Sequence, residues 1–199
     1  MPFVTKVKKV WTQPDSIPSR NKKRKKEVTN EVKETGQYYG KAFRQINIHG
    51  GDSLHAAGFT GKGMHVAVID AGFYNADKIK FFKKMDLLGT CDFVNPDSDI
   101  YAENSHGMKV LSCMASQTKN AFVGTAPEAS YWLLRSEDAD TEQPVEEDYW
   151  AAAIEFADSV GVDVINTSLG YYEFDKGYGG YRYRDLDGHT SLMSHSASM

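Results

Sequence analysis

The chain has 199 residues, of which 41% are hydrophobic and 12% aromatic, and its formal net charge is −4. That is enough for one α/β domain with a packed core and too little for two full ones. No stretch approaches the ~20 apolar residues that span a bilayer, and no apolar segment of the secretory type follows Met1, so the sequence predicts no membrane partner and shows no signal peptide.

The charge is unevenly divided. Residues 1–44 hold twelve Lys/Arg against four Asp/Glu, about +8, and the remainder sums to −12. The segment PFVTKVKKVW (2–11) alternates apolar and basic residues, as a half-buried or edge strand does. Residues 12–37 are polar without apolar periodicity and read as a basic linker. Its centre, RNKKRKK (20–26), has six basic residues in seven. A solvated connector is the first reading and a processing site for a basic-specific protease the second. Nucleic acid is not expected as a partner, because no RNA- or DNA-reading module accompanies the tract.

From Tyr38 onward the pattern changes. Phe43, Ile46, Leu54 and Ala57 follow helical spacing, and a Gly-rich turn before Met64 launches a β-branched strand over 65–69. KIKFFKKMDLLG (78–89) predicts a helix or short turn, and GTCDFVNP (89–96) a second strand. SHGMKVLSCMASQ (105–117) places Met108, Val110, Leu111, Met114 and Ala115 at helical spacing. ASYWLLRSE (129–137) is another apolar strand. DYWAAAIEFADSVG (148–161) is an amphipathic helix with Trp150, Ala153, Ile154 and Ala157 on one face and Gly161 beyond its end. VDVINTSLG (162–170) is a further buried strand. Strands that alternate with helices, and apolar runs that are continuous, predict an α/β fold of three layers with a mostly parallel sheet. Cys91 and Cys113 fit no ligand spacing and fix neither a disulfide nor a compartment.

Three stretches carry candidate chemistry. VAVIDAGF (66–73) ends a buried strand on Asp70, and ligands gather at the carboxyl ends of such strands. A carboxylate there is costly without partners. It could bind a ribose or a metal, cap a helix, or orient a histidine. NSHGMKV (104–110) sets His106 at the start of an apolar helix, where the helix end disfavours added positive charge and so favours a neutral imidazole, as a general base requires. Gly107 lets another chain segment approach closely. None of His49, His55, His65, His189 and His195 follows a strand or opens a helix in that way. VINTSLGYY (164–172) ends in Ser168, Leu169 and Gly170, a small exposed edge that can pair with an extended peptide.

Together these stretches resemble the subtilisin-like serine proteases, the subtilases of peptidase family S8. VAVIDAGF is similar to the family's Asp motif, SHGMKVLSCMA to its His-Gly-Thr helix, VGTAPEASYWLLR (123–135) to its Gly-Val-Ala-Pro stretch, and DVINTSLG to its substrate-lining strand. The likeness runs from about Tyr38 onward, and PFVTKVKKVW resembles the last strand of a propeptide. The resemblance implies a serine endopeptidase working through an Asp-His-Ser triad, with Asp70 holding the imidazole and His106 taking the serine proton. It implies that Ser168, Leu169 and Gly170 pair with the substrate backbone. It also implies that Gln143, Pro144 and Val145 form the opposite strand of the cleft. Protein or peptide substrates, the protein's own propeptide as a partner, and a secreted or cell-envelope location follow from the same likeness.

The sequence also departs from the family pattern. It contains no Gly-Thr-Ser-Met-Ala nucleophile motif and no Asn-bearing oxyanion segment. Ser194, Ser196 and Ser198 lack the strained turn that exposes a reactive hydroxyl. The expectation is therefore the N-terminal part of a catalytic domain (38–199), cut before the nucleophile helix and inactive alone. The alternative is a noncatalytic subtilase-like pseudoenzyme or binding protein. A dinucleotide fold is disfavoured because the glycines of GFTGKG precede the strand. Ala71 and Met108 stand where the family has hydroxyl residues. No cofactor is expected. Calcium, common in the family, would fall at SQTKNAFVG (116–124), which offers Asn120 and carbonyls but no carboxylate, a weak set for a hard cation. TEQPVEED (141–148) clusters four acids, read as solvated or first-turn helix residues, with a preference for basic substrates as the sharper alternative. The Tyr/Gly-rich run 171–188 reads as a surface loop or hairpin, or as an aromatic rim over the cleft.

Overall fold

Four strands form a parallel sheet whose centre is the most apolar segment of the chain. In the computed structural model, which describes residues 36–198, β1 is His65–Asp70, β2 Asp86–Asp92, β3 Gln117–Thr118, β4 Phe122–Val123, β5 Ser130–Arg135 and β6 Val164–Thr167. The sheet order is β2-β5-β1-β6, and all three pairings are parallel. β1 is buried at every position after His65 because it has a neighbour on each side and a layer on each face.

The pleat sends alternate β1 side chains to opposite faces. Val66 and Val68 join Tyr131 and Leu133 of β5 and pack beneath Leu111 and Ala115 of helix α3 (His106–Ala115). Ala67 and Ile69 join Leu134 on the other face and pack against Trp150, Ala153 and Ala157 of helix α4 (Val145–Ser159). The result is helix, sheet, helix: the expected three-layer α/β architecture. Trp150 also donates its indole N–H to Thr167 Oγ1 at 2.9 Å, which ties α4 to β6.

Local differences from the sequence reading have physical causes. The run from Phe43 to Ala57 is two short helices, α1 (Phe43–Ile48) and α2 (Gly51–Ala56), because Gly50 between them takes a left-handed φ of 70°. Leu54 is exposed rather than part of a core face. In KIKFFKKMDLLG only Lys80–Phe82 makes a helical turn, and β2 already begins at Asp86. There the ladder with β5 claims residues whose side chains alone gave no strand pattern. Helix α4 starts at Val145, three residues earlier than expected, and ends before Gly161, whose φ is 73°. β6 stops at Thr167, so Ser168–Gly170 leave the sheet. A last short helix, α5, spans Leu192–Ser196.

SQTKNAFVG folds as the antiparallel hairpin β3–β4. Thr118 O accepts from Ala121 N, Ala121 O accepts from Lys41 N, and Asn120 sits at the tip with φ 64°. Two carbonyls of the loop thus accept backbone N–H groups, and the loop carries no carboxylate, the ligand a hard cation favours. The expected strand 2–11 and most of the linker 12–37 lie outside the described residues; the linker's last two positions are helical.

Candidate active site

Asp70 is the last residue of β1 and is fully buried. His106 is the first residue of α3, with its side chain about half exposed. The two meet at 2.7 Å between His106 Nδ1 and Asp70 Oδ1. The approach depends on Gly107. A Cβ at that position would lie 2.6 Å from Gly72 O, 2.7 Å from Asp70 Cβ and 2.9 Å from Phe73 Cε1. Only glycine lets the first turn of α3 rest on the end of β1. The helix start is also fixed from outside, since Asn104 Oδ1 accepts from His106 N–H at 2.8 Å.

The carboxylate is held in one rotamer. Asp70 Oδ1 accepts both the imidazole and the N–H of Ala71 at 2.8 Å. Asp70 Oδ2 is buried and has no partner among the described residues, and Ala71 brings no hydroxyl to it. Burial pushes the Asp70 carboxyl above its ordinary value, and the bonds from His106 and Ala71 offset only part of that rise. An ion poorly solvated by its surroundings has most to gain from a cation beside it. An imidazole that becomes protonated at His106 is such a cation, which is the arrangement a general base needs.

Behind this pair lies a third charged group that the sequence reading passed over. Arg135 ends β5, in register with Asp70 on one side and Asp92 on the other. It is buried. Its Nε donates to Ala71 O at 3.2 Å, one guanidinium nitrogen pairs with Asp92 at 3.0 Å and the other with Glu103 at 3.4 Å. Burial alone would raise Asp92, but bonds from Asn95 N–H, Ser98 and Arg135 outweigh it and hold the carboxyl below its usual value. An Arg closing an apolar strand was the available signal, the same one that singled out Asp70.

The other predicted residues fall differently. Ser168, Leu169 and Gly170 follow directly on Thr167, which pairs with Ile69, so they begin level with Asp70 on the neighbouring strand. Ser168 and Gly170 are exposed, and Leu169 packs against the α4 side of the core. Pro144 and Val145 do not form a strand. Pro144 is the N-cap of α4 and Val145 its first residue, a place proline suits because its missing N–H is not needed there. The acids of 141–148 are not all solvated either. Glu146 and Glu147 are buried, and Glu147 accepts from Tyr181 OH at 2.5 Å and Met193 N at 3.2 Å. The run 171–188 contains a short hairpin closed by the bridge between Glu173 and Gly180, with Tyr172, Tyr178 and Tyr183 exposed and Tyr171 buried. Cys91 and Cys113 are free thiols.

Comparison with known proteins gives the family and the fold. Residues 61–196 match the model of the subtilase family. Subtilisin E of Bacillus subtilis (strain 168) is 32% identical over 120 residues, covering 59% of this chain and 30% of that protein. Among solved structures, the serine protease MycP1, described as an essential component of the type VII (ESX-1) secretion system, superposes with a TM-score of 0.51 at 23% identity, covering 73% of this chain and 40% of MycP1. The prenylagaramide maturation protease PagA gives 0.52 at 22% identity, covering 75% and 46%. The chain spans between 30% and 41% of the length of the subtilisins it matches. Those two structures share its fold; with the match over residues 61–196, this chain belongs to the subtilase family.

Proposed function

We propose that this chain supplies the Asp–His half of a serine endopeptidase. Asp70 holds the His106 ring by Nδ1, leaving Nε2 to accept a proton from a serine hydroxyl that attacks a peptide carbonyl. The observation that carries the reading is the 2.7 Å contact between a fully buried carboxylate and a half-exposed imidazole at the carboxyl end of a parallel strand. The sequence holds no Gly-Thr-Ser motif, so the serine comes from outside these residues, and the 199-residue chain alone is inactive. On the same reading Ser168–Gly170 pair with the substrate backbone, while Pro144 and Val145 border the cleft from the start of α4. Residues 2–11 end a propeptide, and the complete protein acts on proteins or peptides as a secreted or cell-envelope enzyme.

The test is hydrolysis of a casein or peptide substrate by the complete protein, with Asp70→Asn beside it. A drop in kcat of about 10⁴, with the fold retained, is expected of an Asp that sets the histidine tautomer. A complete protein that cleaves nothing, or an Asp70→Asn variant that cleaves as well as the parent, would overturn the proposal. The first outcome would favour a noncatalytic binding role.

A further inference from the structure

Close to the dyad, residues 136–146, which run into the first turn of α4, and the segment 171–175 bring acidic side chains together with no Lys or Arg among them. Glu142 and Asp175 clamp the two segments: Asp175 N–H donates to Glu142 O at 2.8 Å, and Asp175 Oδ2 accepts from Glu142 N–H at 3.1 Å. Glu137 follows Ser136, whose N–H donates to Asp70 O at 3.1 Å, and it feels the charges of Glu142, Asp70 and His106. Glu146 is fully buried. Its Oε1 receives only long bonds of 3.4 Å from Thr141 and from Gln143 N–H.

Three buried polar groups in this place have no partner among the described residues: Glu146 Oε2, Tyr171 OH and Ser136 Oγ. Tyr171 OH lies beside Ser136 Oγ, outside hydrogen-bonding geometry, and within the field of Glu137, Glu146 and Glu142. Unpaired buried acceptors of this kind are costly. The first turn of α4 accounts for an acid at position 146, since the helix dipole favours negative charge there. It does not account for the free Oε2, nor for the idle hydroxyls of Tyr171 and Ser136. Among the described residues none of these carboxylates is in an ion pair.

We infer that this acidic cluster receives the Lys or Arg side chain of a basic substrate. The inference rests on the protease reading of the cleft. A long side chain with several donors fits the arrangement better than a metal ion. Among the described residues no group of three or more His, Cys, Asp or Glu side chains is set to hold a metal, and here carboxylates alternate with hydroxyls spread over two segments. A guanidinium or ammonium group would give Glu146, Tyr171 and the rim carboxylates of Glu137 and Glu142 the donors they lack. Tyr171 follows directly on Ser168–Gly170, so a peptide paired along those residues would pass the cluster. Burial pushes the Glu146 carboxyl up to about 7, and an incoming cation would draw it back to the ionised form.

The experiment titrates the 199-residue chain with two acetylated, amidated peptides that differ only in carrying arginine or its neutral isostere citrulline. Affinity is read from the His106 ring resonances, which report the cleft itself. The arginine peptide should bind at least about tenfold more tightly, as a charge-assisted contact with a partly buried carboxylate supports. Glu142→Gln and Glu137→Gln, at positions that do not carry the core, should each bring that ratio down to about threefold. Equal affinity for the two peptides, or a preference that survives both variants, overturns the inference while leaving the protease reading intact. Failure of both peptides to move the His106 signals overturns the inference together with the cleft reading beneath it.

Discussion

Replacing Gly107 by alanine separates two opposing forces at the start of α3. In an ordinary helix the change stabilises by about 1 kcal/mol, because alanine loses less backbone freedom on folding. Here the new methyl would meet Gly72 O at 2.6 Å and Asp70 Cβ at 2.7 Å, both belonging to the end of the central strand rather than to a flexible side chain. Restoring ordinary contact requires α3 to retreat by roughly 0.8 Å, and overpacking of this kind costs about 1–3 kcal/mol. The balance is a net loss of up to about 2 kcal/mol. The same retreat would lengthen the 2.7 Å bond between His106 and Asp70 to about the limit of a hydrogen bond. Urea unfolding at constant m measures the first effect. The far-downfield proton of the His106 ring nitrogen, weakened or lost, reports the second. Gly170→Ala is the control, since a Cβ there meets nothing within 4 Å; its effect should stay within about 0.5 kcal/mol. A Gly107→Ala chain as stable as the parent, with the His106 proton in place, would refute the close-approach reasoning.

Arg135→Met should destabilise by about 3–5 kcal/mol, because it strands the buried Asp92 and frees Ala71 O beside the dyad; the urea midpoint measures it. Asp92 also sets a pH response. Its folded carboxyl lies below the ordinary value, so its contribution is present above that ordinary value and is lost as pH falls through the depressed folded one. Acid titration of stability should therefore fall less steeply in Arg135→Met than in the parent. The outer edge of β6 has no strand beside it among the described residues, and Val164 and Ile165 on it are exposed. Ile165→Lys should reduce self-association of the chain in sedimentation without lowering its unfolding free energy by more than about 0.5 kcal/mol.

β1, β5, β6, the two long helices, and Asp70 and His106 as separate candidates were legible because each rests on a local pattern, whereas their pairing was an expectation from the family likeness and the hairpin β3–β4 was read only as a loop. Apolar runs broken by one charged residue mark β1 and β5, and helical spacing marks α3 and α4. What the sequence hid depends on partners far along the chain. β2 takes in Asp86–Gly89 because β5 offers a ladder there, and no local preference announces it. Glu146 and Glu147 look like solvated first-turn acids until the segments carrying Tyr171, Tyr181 and Met193 fold over them. Pro144 and Val145 were placed in a cleft strand by likeness, whereas proline at a helix start is the reading that its missing N–H favours.

The position of β1 has a consequence for how the chain reaches this structure. Its partners are distant in sequence: His65 pairs with Ser130, and Val66 with Val164. Closing such loops is slow, so folding should belong to the sluggish, high-contact-order class. At ordinary synthesis rates, about 100 residues take on the order of 5–20 s to emerge. Until residue 135 has emerged the most apolar strand of the molecule has neither neighbour, and until residue 167 it lacks β6. The segment that later presents Asp70 is thus the one most in need of a chaperone during synthesis, and pulse-chase proteolysis of ribosome-bound chains should find it open to cleavage until residue 167 has appeared.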